Sequence, residues 1–496
     1  MQRKQLTLVI VSLLVVVLSV SLAYFTAQII GKGKDVSVTS ANLQIVFTDS
    51  DGALTETDIE PGWSATKTFT IKNDTKTEYK YNIVIKDLLN TFVTEGYLQY
   101  KITSTNDGYN MTEFKDIPKS STPKDTILAY SVVIPNGVTQ SYTIEFKYTN
   151  DENIDQSDDM GKQLSGTLFI TEGTELTFLT QLLADKSTRL TRTDFSKVLT
   201  DNNTNTLYTS TEDSKTVYYF AGNATDNWVK FGKNASNQDL YWRIIRTNSE
   251  GSIRLLYHGT STTATNAYIG TIKFNSTYND AMYVGYMYGT SGSQVNNRTN
   301  TNSSTIKGVI DTWYKDNLNS NYGKYLSATA IYCNDRSVTS GTYSVSSSFG
   351  YSAKTRLDVN KTPTYNCADT NDKFTADTST GNGKLTYPIA LMTADEVSFA
   401  GGKYGSNAPT WYYNSANESS TGSTWWWVLS PYIWDGSYAH VFGVHGSSYP
   451  GHLNSNLVLD TGGVRPVTSL KSCVKYSSGD GTATNPYTIQ ETTSGC

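Results

Sequence analysis

The sequence predicts a multidomain, β-rich chain: an N-terminal antiparallel β-sandwich followed by a larger α+β domain, behind an apolar leader. Three observations carry that prediction. Short segments that alternate apolar and polar residues recur between about residues 36 and 172, as half-buried strands do. The composition holds 35 Tyr, 37 Gly and only 17% charged residues, which favours sheet and turns over long helices. With 496 residues the chain exceeds one ordinary domain and has length for separate cores.

The first element is residues 1–29. Residues 6–23, LTLVIVSLLVVVLSVSLA, are uncharged and follow Arg3 and Lys4, the pattern of a signal-peptide core or of a single membrane span. Ser21-Leu22-Ala23 offers the small residues a signal peptidase reads, while 18 apolar residues also just cross a bilayer. Uncleaved, the two basic residues would hold the short N-terminus inside and place the bulk outside. Both readings predict a cell-surface or extracellular protein.

Residues 30–173 form the predicted sandwich. The segments VSVTSANLQIVF, ATKTFTIK, YKYNIVIK, GYLQYKITS, TILAYSVVI, SYTIEFKY and LSGTLFIT each read as strand, several with period two. Asn73-Asp74, Pro135-Asn136-Gly137 and the acidic stretch from Asn150 to Asp159 supply turns and a longer loop. Residues 174–214 follow as a helix, with ELTFLTQLLADK at helical spacing, and a polar linker, DNNTNTLYTSTEDSK, with a domain boundary near residue 205. Residues 215–489 are rich in Trp and Tyr and mix short strands (TVYYF, YWRIIR, SIRLLYH) with helices around Ser304 to Leu318 and Thr393 to Phe399, an α+β pattern. Residues 490–496 are a tail.

Charge and motifs exclude several functions. The net charge is −5 and the 40 Lys and Arg are dispersed, so the basic stripe of a nucleic-acid binder is missing. There is no GxSxG elbow, no GxxxxGK[ST] phosphate loop and no HExxH, and His258 has no recognisable nucleophile partner. No cofactor is predicted and no enzyme is expected. The cysteines, Cys333, Cys367, Cys473 and Cys496, are even in number and lack metal-ligand spacing, so disulfides are the default in an exported chain. Cys333 with Cys367 and Cys473 with Cys496 is the preferred pairing; four cysteines allow three connectivities.

The densest recognition chemistry lies near the C-terminus, in WWWVLSPYIWDGSYAHVFGVHGSSYPGHLNSNLVLDTGGVRPVTSL, residues 425–470. Tyr and Trp provide rigid contact area with a polar tip, and Ser, Gly and Asn provide adaptable hydrogen bonds. This region resembles the formylglycine-generating-enzyme-like branch of the C-type lectin fold, where a Trp-containing strand and a Ser-Pro step lead through surface loops to a Gly-Val-Arg-Pro strand. It is most similar to the bacterial surface proteins of that branch, including variable targets of diversity-generating retroelements. The resemblance implies a ligand-binding face at Tyr432, Trp434, Asp435, Ser437, Tyr438, His440, His445, Ser447, Tyr449, His452, Asn454 and Asn456. The catalytic members use cysteines, and none lies between Cys367 and Cys473 here; the EPN and QPD motifs of calcium-dependent lectins are also absent.

At the other end, Ala23-Tyr24-Phe25-Thr26 running from an apolar core into a sandwich resembles the camelysin and TasA group of exported bacterial proteins. That resemblance implies the fold and the export route. No His precedes His258, so a zinc-peptidase site lacks its usual ligands there.

Several of these residues also have plain structural readings. At least one of Trp425, Trp426 and Trp427 is expected to pack in a core. Arg465 is expected to bond loop carbonyls or a carboxylate. His440, His445 and His452 lack a fixed carboxylate partner in the sequence, which weighs against a metal. The predicted function is an exported ligand-binding protein, adhesin- or receptor-like, recognising a protein or glycan on another surface, with the membrane as partner through residues 6–23 if uncleaved. The alternative is a matrix or fibre subunit that oligomerises through its sandwich.

Overall fold

The computed structural model describes residues 35–496, except 41–42, 50–53, 57–59, 75–76, 174–175, 187, 265–266, 414–424 and 447. The apolar segment 6–23 lies outside them. No helix among the described residues is long and apolar enough to cross a membrane. The chain divides into two compact units, Met1–Leu176 and Thr177–Cys496.

The first unit holds two antiparallel sheets. One runs in the order Asp35–Ser40, Leu43–Asp49, Ser64–Asn73, Thr139–Tyr148, Leu98–Ser104, Lys115–Asp116; the other in the order Leu54–Glu56, Leu164–Glu172, Tyr79–Asn90, Ser120–Ile134. Period two explains the layering. Along Thr139–Tyr148, Gln140, Tyr142, Ile144, Phe146 and Tyr148 are buried, while the residues between them are not. They share one core with Ile83, Ile85, Leu168 and Ile170 of the second sheet, the arrangement of a β-sandwich. Polar atoms inside it are paired. Tyr81 Oη of one sheet donates to Gln140 Oε1 of the other at 2.5 Å and also contacts Tyr142 Oη. Gly137, with φ +72°, takes the left-handed position of the turn before Thr139, and its N–H donates to Asn73 O.

The second unit begins earlier than the sequence reading placed it. The helix spans only Phe178–Asp185, capped by Thr177 Oγ1, which accepts from the Thr180 N–H. The chain then forms Thr188–Thr191, which pairs in parallel with Thr206–Glu212. The stretch read as a polar linker is therefore sheet. Thr206–Glu212 and Lys215–Tyr219 form a two-residue hairpin in which Asp213 and Ser214 both have positive φ, +49° and +64°, the backbone of a type I′ turn. Leu207, Tyr208 and Glu212 are buried, which polar composition conceals.

A ten-stranded sheet builds on this hairpin through Asp239–Thr247, which also pairs with Trp228–Lys233 and Ile253–Gly259. The end of the chain closes it: Pro466–Leu470 pairs with Ile253–Gly259 and Ile389–Leu391, and Tyr487–Ile489 runs parallel to Trp228–Lys233. Lys475 bridges back to Thr177. Helices Thr305–Asn317 and Ala394–Phe399 fall where the sequence places them; the second has a capping box between Thr393 and Glu396. Disulfides join Cys333 to Cys367 and Cys473 to Cys496, which fits an oxidising compartment.

The interior of this unit is rich in paired charge. Glu396 accepts from Arg246 Nε at 2.9 Å and Arg254 Nη1 at 2.7 Å, and Arg246 reaches Glu212 at 2.9 Å. Arg356 bonds Asp335 and Asp395, and Arg336 bonds Asp372.

Candidate functional site

A seven-stranded sheet carries the candidate residues. Trp425–Trp434 pairs with Ala439–His445, which pairs with Leu453–Leu457. Trp426 and Trp427 are fully buried, as the core reading requires, and Trp425 is half-buried. Asp435 builds the turn that joins the first two strands. Its Oδ1 accepts from the N–H groups of Ser437 (2.8 Å) and Tyr438 (2.7 Å), and its Oδ2 lies 3.0 Å from His440 Nε2. Burial raises the Asp435 carboxyl, but the His440 ring and the two N–H donors outweigh it and hold the group below the usual aspartate value.

The twelve candidates do not share one face. Side chains alternate along Ala439–His445, so His440 and Phe442 point one way while Val441 and His445 point the other. On the first face Tyr432 is half-buried, stacks on Tyr404 and packs edge-on to Phe442; its hydroxyl accepts from Tyr404 and donates to Asp358. On the second, His445 stacks on Trp425 at 5.9 Å, with its Nε2 3.2 Å from Asn456 Nδ2. Asn454 is half-buried and its Oδ1 accepts from the Ser455 N–H. Trp434 is a correction: at 1% exposure it belongs to the core and cannot meet a ligand, because the strand turns its indole inward. Ser447 lies outside the described residues.

Nor do they sit at one end. The Asp435–Tyr438 turn and the loop carrying Tyr449 and His452 flank opposite ends of a seven-residue strand, about 20 Å apart at ~3.3 Å per residue. Exposure separates the candidates further. Among the described residues only three aromatic side chains are exposed, Tyr278 (38%), Tyr438 (39%) and Tyr449 (56%). Tyr278 stacks on Tyr438 with ring centroids 5.2 Å apart, and its carbonyl accepts from the Ala439 N–H. Sequence reasoning missed Tyr278, which stands 160 positions before its partner in an unremarkable polar stretch.

The histidines differ in chemistry. Burial, and then the neighbouring His452 ring 6.1 Å away, push His445 down to about 4. Burial also lowers His452. Among the described residues no group of three or more His, Cys, Asp or Glu is arranged to hold a metal ion. Away from the site, His258 is 1% exposed beside Trp228, and burial with the Arg465 and Arg243 charges drives it well below 6.5. Arg465 bonds the carbonyls of Tyr412 and Tyr257 and lies over Trp426, a structural role. In an NMR titration of the ring protons, His445 is expected to titrate with a midpoint near 4, and His258 to remain neutral until the domain unfolds. A His445 midpoint above 6 would contradict its packing against Trp425.

Comparison of the chain with protein-family models, with curated proteins and with solved structures finds no match.

Proposed function

We propose that this chain is an exported surface protein that binds a ligand and catalyses no reaction, its C-terminal unit being a C-type-lectin-like recognition domain and its N-terminal sandwich a camelysin/TasA-type stalk. The observation that carries the reading is the exposure of Tyr278, Tyr438 and Tyr449. In a domain that buries nearly all its aromatic area, exposed rings beside adaptable polar groups are what recognition surfaces use. The Tyr278–Tyr438 stack, with the Asp435–His440 pair beside it, is the main contact; Tyr449 and His452 form a second one. A partner that engages both spans about 20 Å, the reach of a protein or an oligosaccharide on another surface.

Glycan arrays and whole-cell capture by the purified protein would test this. Changing Tyr438, His440 and Tyr449 together to Ala is expected to abolish capture, and Tyr278→Ala to weaken it at least tenfold, with the thermal unfolding midpoint unchanged. Capture that survives the triple change in a folded protein would reject the proposed surface.

A further inference from the structure

Near the start of the second unit, Lys186 and Asp226 form an ion pair buried from solvent on both sides, with side-chain exposures of 1% and 2%. Lys186 Nζ lies 2.8 Å from Asp226 Oδ2, donates to the Asp480 carbonyl at 3.0 Å, and sits over the Tyr487 ring at 5.3 Å. Asp226 Oδ2 also accepts from the Asn205 N–H at 2.7 Å. The other carboxylate oxygen, Oδ1, is fully buried and has no hydrogen-bond partner among the described residues. As an ion pair the arrangement is therefore incomplete: it keeps two charges out of water and leaves one oxygen of the anion unsatisfied, each of which is costly.

We propose that Lys186 and Asp226 condense to an intramolecular amide. Attack needs a neutral amine beside a carboxylic acid, which the passage of one proton from the ammonium to the carboxyl group across the 2.8 Å contact supplies. The Nζ lone pair attacks Cγ, and the charge that develops on Oδ2 is met by the Asn205 N–H already bonded to it. The Cγ–Oδ1 bond then breaks, and Oδ1 leaves as water, carrying the acid proton and one proton from the amine. The step needs no oxidant, reductant or co-reactant.

The product resolves what the ion pair leaves open. Its carbonyl oxygen, Oδ2, keeps the Asn205 N–H, its one remaining N–H donates to the Asp480 carbonyl, and the orphaned oxygen is gone. No buried charge remains at the pair. The bond ties the end of the Phe178–Asp185 helix to the segment that enters the Trp228–Lys233 strand, and so cross-links the part of the domain nearest the N-terminal unit in sequence.

Peptide mapping of the full chain decides the matter. After reduction, alkylation and trypsin digestion of the folded protein, the peptide containing Lys186 is expected to emerge joined to the peptide containing Asp226, one water lighter than their sum, with no cleavage after Lys186. Lys186→Arg, which keeps the charge, and Asp226→Ala should each abolish the joined species. Recovery of the two wild-type peptides separately, with cleavage after Lys186, would overturn the proposal and leave an ordinary ion pair whose free oxygen is met by water.

Discussion

Glu396→Gln is expected to lower the stability of the C-terminal unit by about 3–5 kcal/mol at neutral pH, the usual cost of removing one partner from a buried charge cluster. Glu396 is 1% exposed and serves Arg246, Arg254 and, through its second oxygen, the Thr393 N–H at 2.9 Å. Glutamine can accept with one oxygen only, so a buried guanidinium loses its anion. For a unit of this size the loss corresponds to a fall of roughly 5–15 °C in Tm. The pH dependence provides a second check. Burial raises the Glu396 carboxyl, but the Arg254 and Arg246 charges outweigh it and hold it below 4.5; Glu212 is lowered by Arg246 in the same way. A carboxyl whose folded value is depressed adds stability above its unfolded pKa, and that stability is lost as pH falls through the folded value. The gap in Tm between wild type and Glu396→Gln should therefore be full at pH 7 and shrink as the solution is taken below pH 4.5. A gap of under 2 °C at pH 7 would show that the cluster does not hold the domain together.

Trp427→Ala is expected to cost about 3–5 kcal/mol, as large-to-small changes of buried aromatics do. The indole is fully buried, packs edge-on to Phe274, and donates its Nε1–H to the Ile272 carbonyl at 2.9 Å. Its loss opens a cavity and strands that carbonyl. It also removes the ring against which Trp425 rests, 4.4 Å between centroids, and Trp425 is the platform for His445. Urea unfolding followed by tryptophan fluorescence would measure the first effect. The His445 titration midpoint should rise toward 6.5 as its platform loosens. A cost below 1 kcal/mol would mean that the strand is held chiefly by its backbone ladder.

The sandwich was legible because one face of each strand is buried and the other is not, so the period-two pattern of Ser64–Asn73 or Thr139–Tyr148 is written directly in residue type. Helices Thr305–Asn317 and Ala394–Phe399 were legible through apolar spacing, and the structure caps them with Ser304 and Thr393. The first arm of the hairpin, Thr206–Glu212, was not, because its polar residues become core-compatible only through distant partners: Glu212 is satisfied by Arg246, which local sequence does not announce. The candidate surface was legible in part. The resemblance marked Tyr438 and Tyr449, which are exposed, and Trp434, which is not, because a single step along the strand decides whether an aromatic ring meets solvent or core. The stack of Tyr278 on Tyr438 depends on tertiary contact and has no trace in spacing.

The closure of the ten-stranded sheet by Pro466–Leu470 and Tyr487–Ile489 sets an order of events during the making of the protein. The strands near residues 229 and 255 each pair locally with Asp239–Thr247, but they find their second neighbours only after more than 200 further residues have been synthesised. Pairings of such long sequence separation are slow to form. The ten-stranded sheet therefore stays incomplete, with strand edges open, until Pro466–Leu470 and Tyr487–Ile489 emerge. A chain cut before Pro466 would leave those strand edges unpaired, an aggregation-prone intermediate for quality control to remove.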